Sequence, residues 1–164
     1  MPIQGIKQPE ILNIDDDLRL VKFHKDFSFA LKLYQDLETV WLVDGEKEIY
    51  DEALLERMYS YLESIGELYF IYYKIEGEYK PIGDVTFSKE YMPIVIGEKE
   101  FRGKGIRKKI ISALINRAKD LGYDKIEVNE IYYFNNNSKK LFTSLGFKEH
   151  IKRDKGMGYI LNLK

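Results

Sequence analysis

The sequence predicts an α+β fold, with a mixed, mostly antiparallel central sheet flanked by helices, in a single domain over residues 1–164. Three observations lead there. Apolar periodicity reads as β-α-α-β-β-β-α-β-α-β-β, and only the step from Met92–Ile96 to Lys125–Ile131 passes through a helix as a parallel crossover requires. Hydrophobic residues make up 45% of the 164 and aromatic ones 14%, enough for a packed core and too much for disorder. No repeat, linker or low-complexity tract divides the chain.

Leu18 to Phe23 alternates as a first strand. Phe27 to Gln35 reads as a short helix. The acidic stretch Asp44 to Glu52 leads into a longer helix, with Leu54, Leu55, Met58, Leu62 and Ile65 at helical spacing. Gly66 is expected to close it by taking positive φ. Leu68–Ile75 and Ile82–Phe87 are strands joined by a hairpin at Glu76-Gly77-Glu78. Met92–Ile96 contains Pro93, which cannot donate to a ladder, so this strand is expected to be irregular. Gly103 to Gly105 opens the next helix, whose stripe is Ile106, Ile110, Ile111, Leu114, Ile115, Ala118 and Leu121, with Gly122 as its stop. Lys125–Ile131 follows as a strand and Asn137–Leu145 as a helix closed by Gly146. Phe147–Lys152 and Tyr159–Leu163 form a last antiparallel pair.

Composition excludes several chemistries. With no Cys there is no disulfide scaffold, thiolate metal site or cysteine nucleophile, and two His make a histidine-rich metal site a poor expectation. No apolar run reaches a membrane-spanning length, and Met1 to Glu10 lacks the order of a signal peptide, so the expected setting is cytoplasmic. The net charge of −1 conceals an asymmetry, −8 over residues 1–80 and +7 over 81–164, which suits one polyanionic and one cationic ligand.

Phe101-Arg102-Gly103-Lys104-Gly105-Ile106-Arg107-Lys108-Lys109 is the most informative segment. Its glycines stand where a strand gives way to a helix, leaving backbone N–H groups open to an anion, and five cations lie within Arg102 to Lys109. A P-loop fails here, because Gly97 is one position too far and Gly105 follows Lys104. A dinucleotide fingerprint fails because Lys108 takes the third small position. Water-facing cations at an ordinary helix start are the plainer alternative.

Two segments taken together shift the balance. Ile96 to Ile106 resembles the acyl-coenzyme-A pyrophosphate loop of the GNAT N-acetyltransferase superfamily, Gln/Arg-x-x-Gly-x-Gly/Ala, with Arg102 and Gly105 in place and Arg107 where Gly or Ala is usual. Asn135-Asn136-Asn137-Ser138-Lys139-Lys140-Leu141-Phe142, ending in Leu145-Gly146-Phe147, is similar to the family's second signature. The likeness covers residues 66–150 and follows the earlier part by element order. Its wording is most like the branch of ribosomal-protein, spermidine and some aminoglycoside acetyltransferases.

The resemblance implies two splayed parallel strands, Met92–Ile96 and Lys125–Ile131, with acetyl-CoA as acyl donor. It assigns the donor to Val95, Ile96 and Gly97 on the splayed strand, to Arg102, Gly103, Lys104, Gly105, Ile106, Arg107 and Lys108 around the diphosphate, and to Asn135 and Ser138. Asn135 to Asn137 also suit a plain helix cap. Glu130, sharing parity with Ile126 and Val128, matches a catalytic glutamate of several relatives; a solvated carboxylate or one paired with Lys139 is the alternative. Where many relatives carry an acidic tyrosine this chain has Phe142, which leaves Tyr132, Tyr133 or water to protonate the leaving thiolate. Trp41 and Asp44 fall where this branch builds its acceptor site. Tyr69, Tyr72, Tyr73, Tyr132 and Tyr133 suit either a cation pocket or half-buried sheet positions. Asp15 to Asp17 and the helix from Asp51 are candidates for attracting a cation or a solvated face.

The expected activity is acetyl transfer from acetyl-CoA to a primary amine, a cationic small molecule or a protein N-terminus. No metal, nucleic acid or membrane is expected to take part, and the chain is expected to act as a monomer or homodimer. A catalytically weak acyl-CoA-binding regulatory module is the alternative that Phe142 motivates, and a nucleic-acid binder using the Arg102–Lys109 patch is a further one, opposed by the acidic first half.

Overall fold

A computed structural model describes residues 3–36, 40–41, 49–97, 101 and 104–164. The chain folds as two compact units, Met1–Phe87 with Pro93–Ile106, and Ser88–Met92 with Arg107–Lys164.

The first unit carries β1 (Ile11–Asn13), β2 (Leu18–Lys22), α1 (Ser28–Tyr34), α2 (Glu52–Ile65), β3 (Glu67–Ile75), β4 (Glu78–Phe87) and β5 (Ile94–Ile96). Its sheet runs β1-β2-β3-β4-β5, antiparallel throughout. β1 has no counterpart among the strands expected from the sequence, because three residues are too few for alternation to show. β4 begins four residues earlier than expected, because Pro81 reads as a breaker. The strand takes Pro81 opposite Tyr72, where the ladder shifts register. Glu76 and Gly77, at φ 51° and 82°, make the tight hairpin turn.

Gly66 departs from its expected role. Its φ is −166°, ordinary extended backbone, and what demands glycine is space: an added Cβ would lie 2.5 Å from the Phe87 carbonyl oxygen. α2 starts on a conventional cap, with the Asp51 carboxylate accepting from the Leu54 N–H at 2.8 Å.

Side chains of α1, α2, β3 and β5 share one apolar cluster, including Ala30, Leu33, Tyr34, Leu55, Tyr59, Leu62, Leu68, Phe70 and Val95. Phe23, Phe27, Phe29, Tyr59 and Phe70 meet there at ring separations of 4.9–6.1 Å. Into this cluster β4 inserts a carboxylate. Asp84, 1% exposed, accepts hydrogen bonds at one oxygen from the Tyr34 and Tyr59 hydroxyls at 2.9 and 2.8 Å. Burial pushes the Asp84 pKa up from 3.8 to about 6 against the pull of the two phenols, and burial beside the carboxylate raises both tyrosines.

The second unit holds α3 (Ile106–Asp120, from its second residue), β6 (Lys125–Tyr132), α4 (Asn136–Ser144), β7 (Lys148–Lys152) and β8 (Gly156–Asn162). The three strands form an antiparallel sheet ordered β6-β8-β7. The α3 stripe is buried at Ile110, Ile111, Leu114, Ile115 and Ala118 as its spacing predicts. Gly122, at φ 79°, ends the helix. Among the described residues no ladder joins β5 to β6; each is an edge strand of its own sheet.

Asp84 makes a signed prediction. Its pKa is higher folded than unfolded, so between about pH 4 and 6 the native state holds the extra proton. The stability it contributes is full below about pH 4 and lost as pH rises through about 6, a loss of about 3 kcal/mol for a shift from 3.8 to about 6. Urea unfolding of wild type and Asp84→Asn from pH 4 to 8 should show the gap between them changing by about that amount, with the variant gaining toward pH 8. A gap that does not vary with pH would contradict the assignment.

Candidate functional site

Lys104 and Gly105 lead directly into α3. Gly105 takes φ 75°, and a Cβ added there would meet nothing within 4 Å, so the left-handed backbone, not crowding, calls for glycine. The N–H groups of Ile106, Arg107 and Lys108 then lie in a first turn where no carbonyl of the helix can accept them. Lys104 and Lys108 are exposed and Arg107 is half-buried. With the helix dipole, this turn favours an anion. Arg102 and Gly103 lie outside the described residues.

β5 supplies a second set of backbone groups. Gly97 N–H donates to the Ile82 carbonyl at 2.9 Å, and Thr86 N–H donates to the Pro93 carbonyl at 3.1 Å. Antiparallel pairing alternates, so Val95, between them, also turns its N–H and C=O toward β4. Ile94 and Ile96 turn theirs to the edge that no strand covers among the described residues. The three residues expected to meet the donor, Val95, Ile96 and Gly97, therefore differ in what their backbone presents. Of the three, only Ile96 offers its amide at the open edge; the Val95 side chain is buried in the α1–α2 cluster. Ile94, absent from that expectation, shares the edge with Ile96.

On β6 the strict alternation expected for Glu130 breaks. Val128 pairs with Tyr159 and Ile131 with Met157, so Asn129 and Glu130 together oppose Gly158 alone. This bulge transfers the buried position from Glu130 to Ile131, and Glu130 is half-buried beside it. An added Cβ at Gly156 would fall on the Ile131 carbonyl oxygen and 2.9 Å from Glu130 Cγ. The Glu130 stem therefore occupies room that Gly156 leaves. The Gly156-x-Gly158 spacing in the sequence is the signal that could have announced the bulge.

α4 begins at the Asn135 cap, whose side-chain oxygen accepts from Ser138 N–H at 3.2 Å, while Ser138 is half-buried. The carboxamide NH₂ of Asn135 remains a donor in this arrangement. Phe142 is 3% exposed and packs edge-on against Phe147 at 5.2 Å, a core position with no proton to give. Of the tyrosines proposed in its place, Tyr133 donates its hydroxyl hydrogen to the Arg153 carbonyl at 3.1 Å, and Tyr132 stacks on Phe134 at 5.4 Å.

On the expected acceptor side, Trp41 is half-buried next to the buried Val40, and Asp44 lies outside the described residues. Asp15 is a turn-former, its carboxylate accepting from the N–H groups of Asp17 and Leu18. Tyr69 is fully buried, while Tyr72 and Tyr73 are half-buried on β3. Tyr72 bonds His24 at 3.2 Å, and burial, reinforced by Asp26, raises its pKa. Among the described residues no group of three or more His, Asp or Glu could hold a metal ion, and no helix is long and apolar enough to cross a membrane.

Comparison with known proteins gives a consistent result. The model of the acetyltransferase (GNAT) family matches residues 30–147. A domain from Methanocaldococcus jannaschii superposes with a TM-score of 0.78 at 25% identity, over 91% of this chain and 100% of that one. Spermidine N-acetyltransferase from Vibrio cholerae, in complex with CoA and spermine, gives 0.69 at 16% identity, over 90% and 96%. An acetyltransferase from Salmonella typhimurium that modifies the N-terminal serine of a 50S ribosomal subunit protein gives 0.68 at 16% identity, over 94% and 100%. A search of curated proteins gives no match.

The Asn135 cap can be tested apart from any ligand. Asn135→Ala should cost about 1 kcal/mol in urea unfolding, while Asn135→Asp, which keeps the accepting oxygen, should stay close to wild type. Equal losses in both would show that the cap does not need that oxygen.

Proposed function

This chain belongs to the acetyltransferase (GNAT) family, and on that premise we propose an N-acetyltransferase that moves the acetyl group of acetyl-CoA to a primary amine. The observation that carries the reading is the pairing of a Gly105-opened helix start with the Asn135-capped α4, both inside the family match. The match runs through residues of both compact units, which supports reading 1–164 as one acetyltransferase domain; a cytoplasmic setting and a monomer or homodimer belong to the same proposal.

Each residue has a task. The first-turn amides of Ile106, Arg107 and Lys108, with Arg102, Gly103, Lys104 and Gly105, take the diphosphate, and Arg107 adds a guanidinium where the family usually has a small residue. Ile96, aided by Ile94, offers N–H and C=O to the pantetheine arm as a surrogate strand. Asn135 donates its carboxamide N–H, and Ser138 keeps the approach to α4 small. Acetyl-CoA supplies the activated acyl group as a thioester. An N–H aimed at the thioester oxygen stabilises the charge that develops there. Glu130 takes the proton of the attacking amine as general base. The amide bond forms as the carbon–sulfur bond breaks, and the thiolate is protonated by water or Tyr132, since Phe142 cannot do so and the Tyr133 hydrogen is already engaged.

The acceptor is a cationic amine that Trp41 and Asp44 help to hold. The −8 balance of residues 1–80 supports this, as does likeness to enzymes that act on spermidine or a protein N-terminus. Nucleic acid and membrane have no part in this reading.

Calorimetry with acetyl-CoA should show saturable one-site binding, and turnover with a panel of polyamines, aminoglycosides and basic peptides should favour cationic acceptors. Glu130→Gln should lower kcat by about 10²–10⁴ while leaving the acetyl-CoA affinity in place. Tight binding with no turnover on any amine would favour the regulatory module instead. No binding at all would contradict both.

A further inference from the structure

The bulge that places Glu130 is held from outside its own strand. A bulge leaves one residue unpaired, and its carbonyl must find another donor. That donor is Arg153, in the turn between β7 and β8, whose Nε–H donates to the Asn129 carbonyl oxygen at 2.8 Å. The carbonyl belongs to the peptide unit whose nitrogen is that of Glu130, and a peptide unit is planar. Fixing its oxygen fixes the plane from which the Glu130 backbone departs. Gly158 lets the same oxygen come close, since a Cβ there would sit 2.9 Å from it.

Arg153 is itself anchored by its backbone. Its N–H donates to the Gly156 carbonyl at 2.9 Å, and its own carbonyl accepts the Tyr133 hydroxyl at 3.1 Å. Tyr133 N–H donates to the Lys155 carbonyl at 3.0 Å, tying the end of β6 to the same turn. The residues concerned all belong to the second unit. An exposed arginine that commits its stem nitrogen to a backbone carbonyl is not there for charge alone.

We propose that Arg153 is a positioning residue for the acetyl transfer, acting through its Nε–H on the Asn129–Glu130 peptide to aim the Glu130 carboxylate. This rests on the reading of Glu130 as the base. A second residue, Gly156, enters the same device by leaving the room that the Glu130 stem fills.

The chemistry of three side chains separates this role from charge and from bulk. Glutamine carries its amide nitrogen on Cδ, where arginine carries Nε, so Arg153→Gln keeps the donor and loses the charge. Arg153→Met keeps the length and loses the donor. Arg153→Lys keeps a charge but has a methylene where Nε was. With acetyl-CoA and spermidine or a serine-initiated peptide, Met and Lys should lower kcat by about ten- to a hundredfold, and Gln should stay near wild type. The acetyl-CoA affinity read by calorimetry should be the same in all three, which certifies folding. In a Glu130→Gln background, Arg153→Met should have no further effect on kcat, because its action passes through the missing carboxylate.

Amide hydrogen exchange at Glu130 gives a readout without turnover: about tenfold faster in Met and Lys than in Gln and wild type. If Lys behaves as wild type and Gln does not, the guanidinium acts by charge and the proposal is overturned. Equal exchange in all variants overturns it as well. If Glu130→Gln leaves kcat untouched while the exchange pattern holds, the base assignment falls and the bulge lock stands as structure only.

Discussion

The first turn of α3 offers amide hydrogens that no carbonyl of the helix can accept, and the β5 edge that no described strand covers carries those of Ile94 and Ile96. Main-chain groups of this kind must be met by water, a side chain or a ligand. Elsewhere the chain supplies the partner itself: Asn135 caps α4, Asp51 caps α2, and Arg153 takes the carbonyl that the β6 bulge releases. Main-chain groups that a helix start or a strand edge does not bond within itself are what an extended, anion-bearing donor can use. Each has a local cause, Gly105 in the left-handed region for the helix start and the edge position of β5 for the strand.

The core shows a similar preference for orientation over maximal stability. A leucine at position 84 would avoid burying a carboxylate but would strand the buried Tyr34 and Tyr59 hydroxyls. Asp84 instead lies in an aromatic cluster, where its charge is opposed by desolvation and offset only by two phenols. Such an arrangement costs stability at neutral pH but permits one registration of Tyr34 on α1 and Tyr59 on α2 against β4. Directional bonds can select a single packing where apolar contacts tolerate several. Leu33 and Val95 join the same cluster, so the face of β5 turned to the helices is packed, while no described strand pairs with its outer edge.

Much of this is legible in the sequence, and the failures share a cause. α3, with seven apolar residues at helical spacing between Gly105 and Gly122, is a local pattern and falls where periodicity puts it. The Asn135 cap and the Glu76-Gly77 turn are equally local. What escapes the sequence depends on a partner strand. Glu130 has the parity of Ile126 and Val128 along the chain, but a bulge defined by Tyr159 and Met157 on β8 moves it out of phase. Which of Val95 and Ile96 faces outward depends on Ile82 and Thr86, which carry no signal within β5 itself. Gly66 looks like a helix stop and is glycine because the Phe87 carbonyl lies against it. Asp84, one acidic residue in an apolar run, gives no sign of the two tyrosines that reach it.

The claim that the first turn of α3 and the outer edge of β5 receive the acyl donor is met most directly by residue-resolved hydrogen exchange with and without CoA. Protection should appear at Ile106, Arg107 and Lys108 and at Ile96, with Val95 and Gly97, already bonded to β4, little changed. CoA that binds while leaving the α3 first turn and Ile96 exchanging as before would contradict the account.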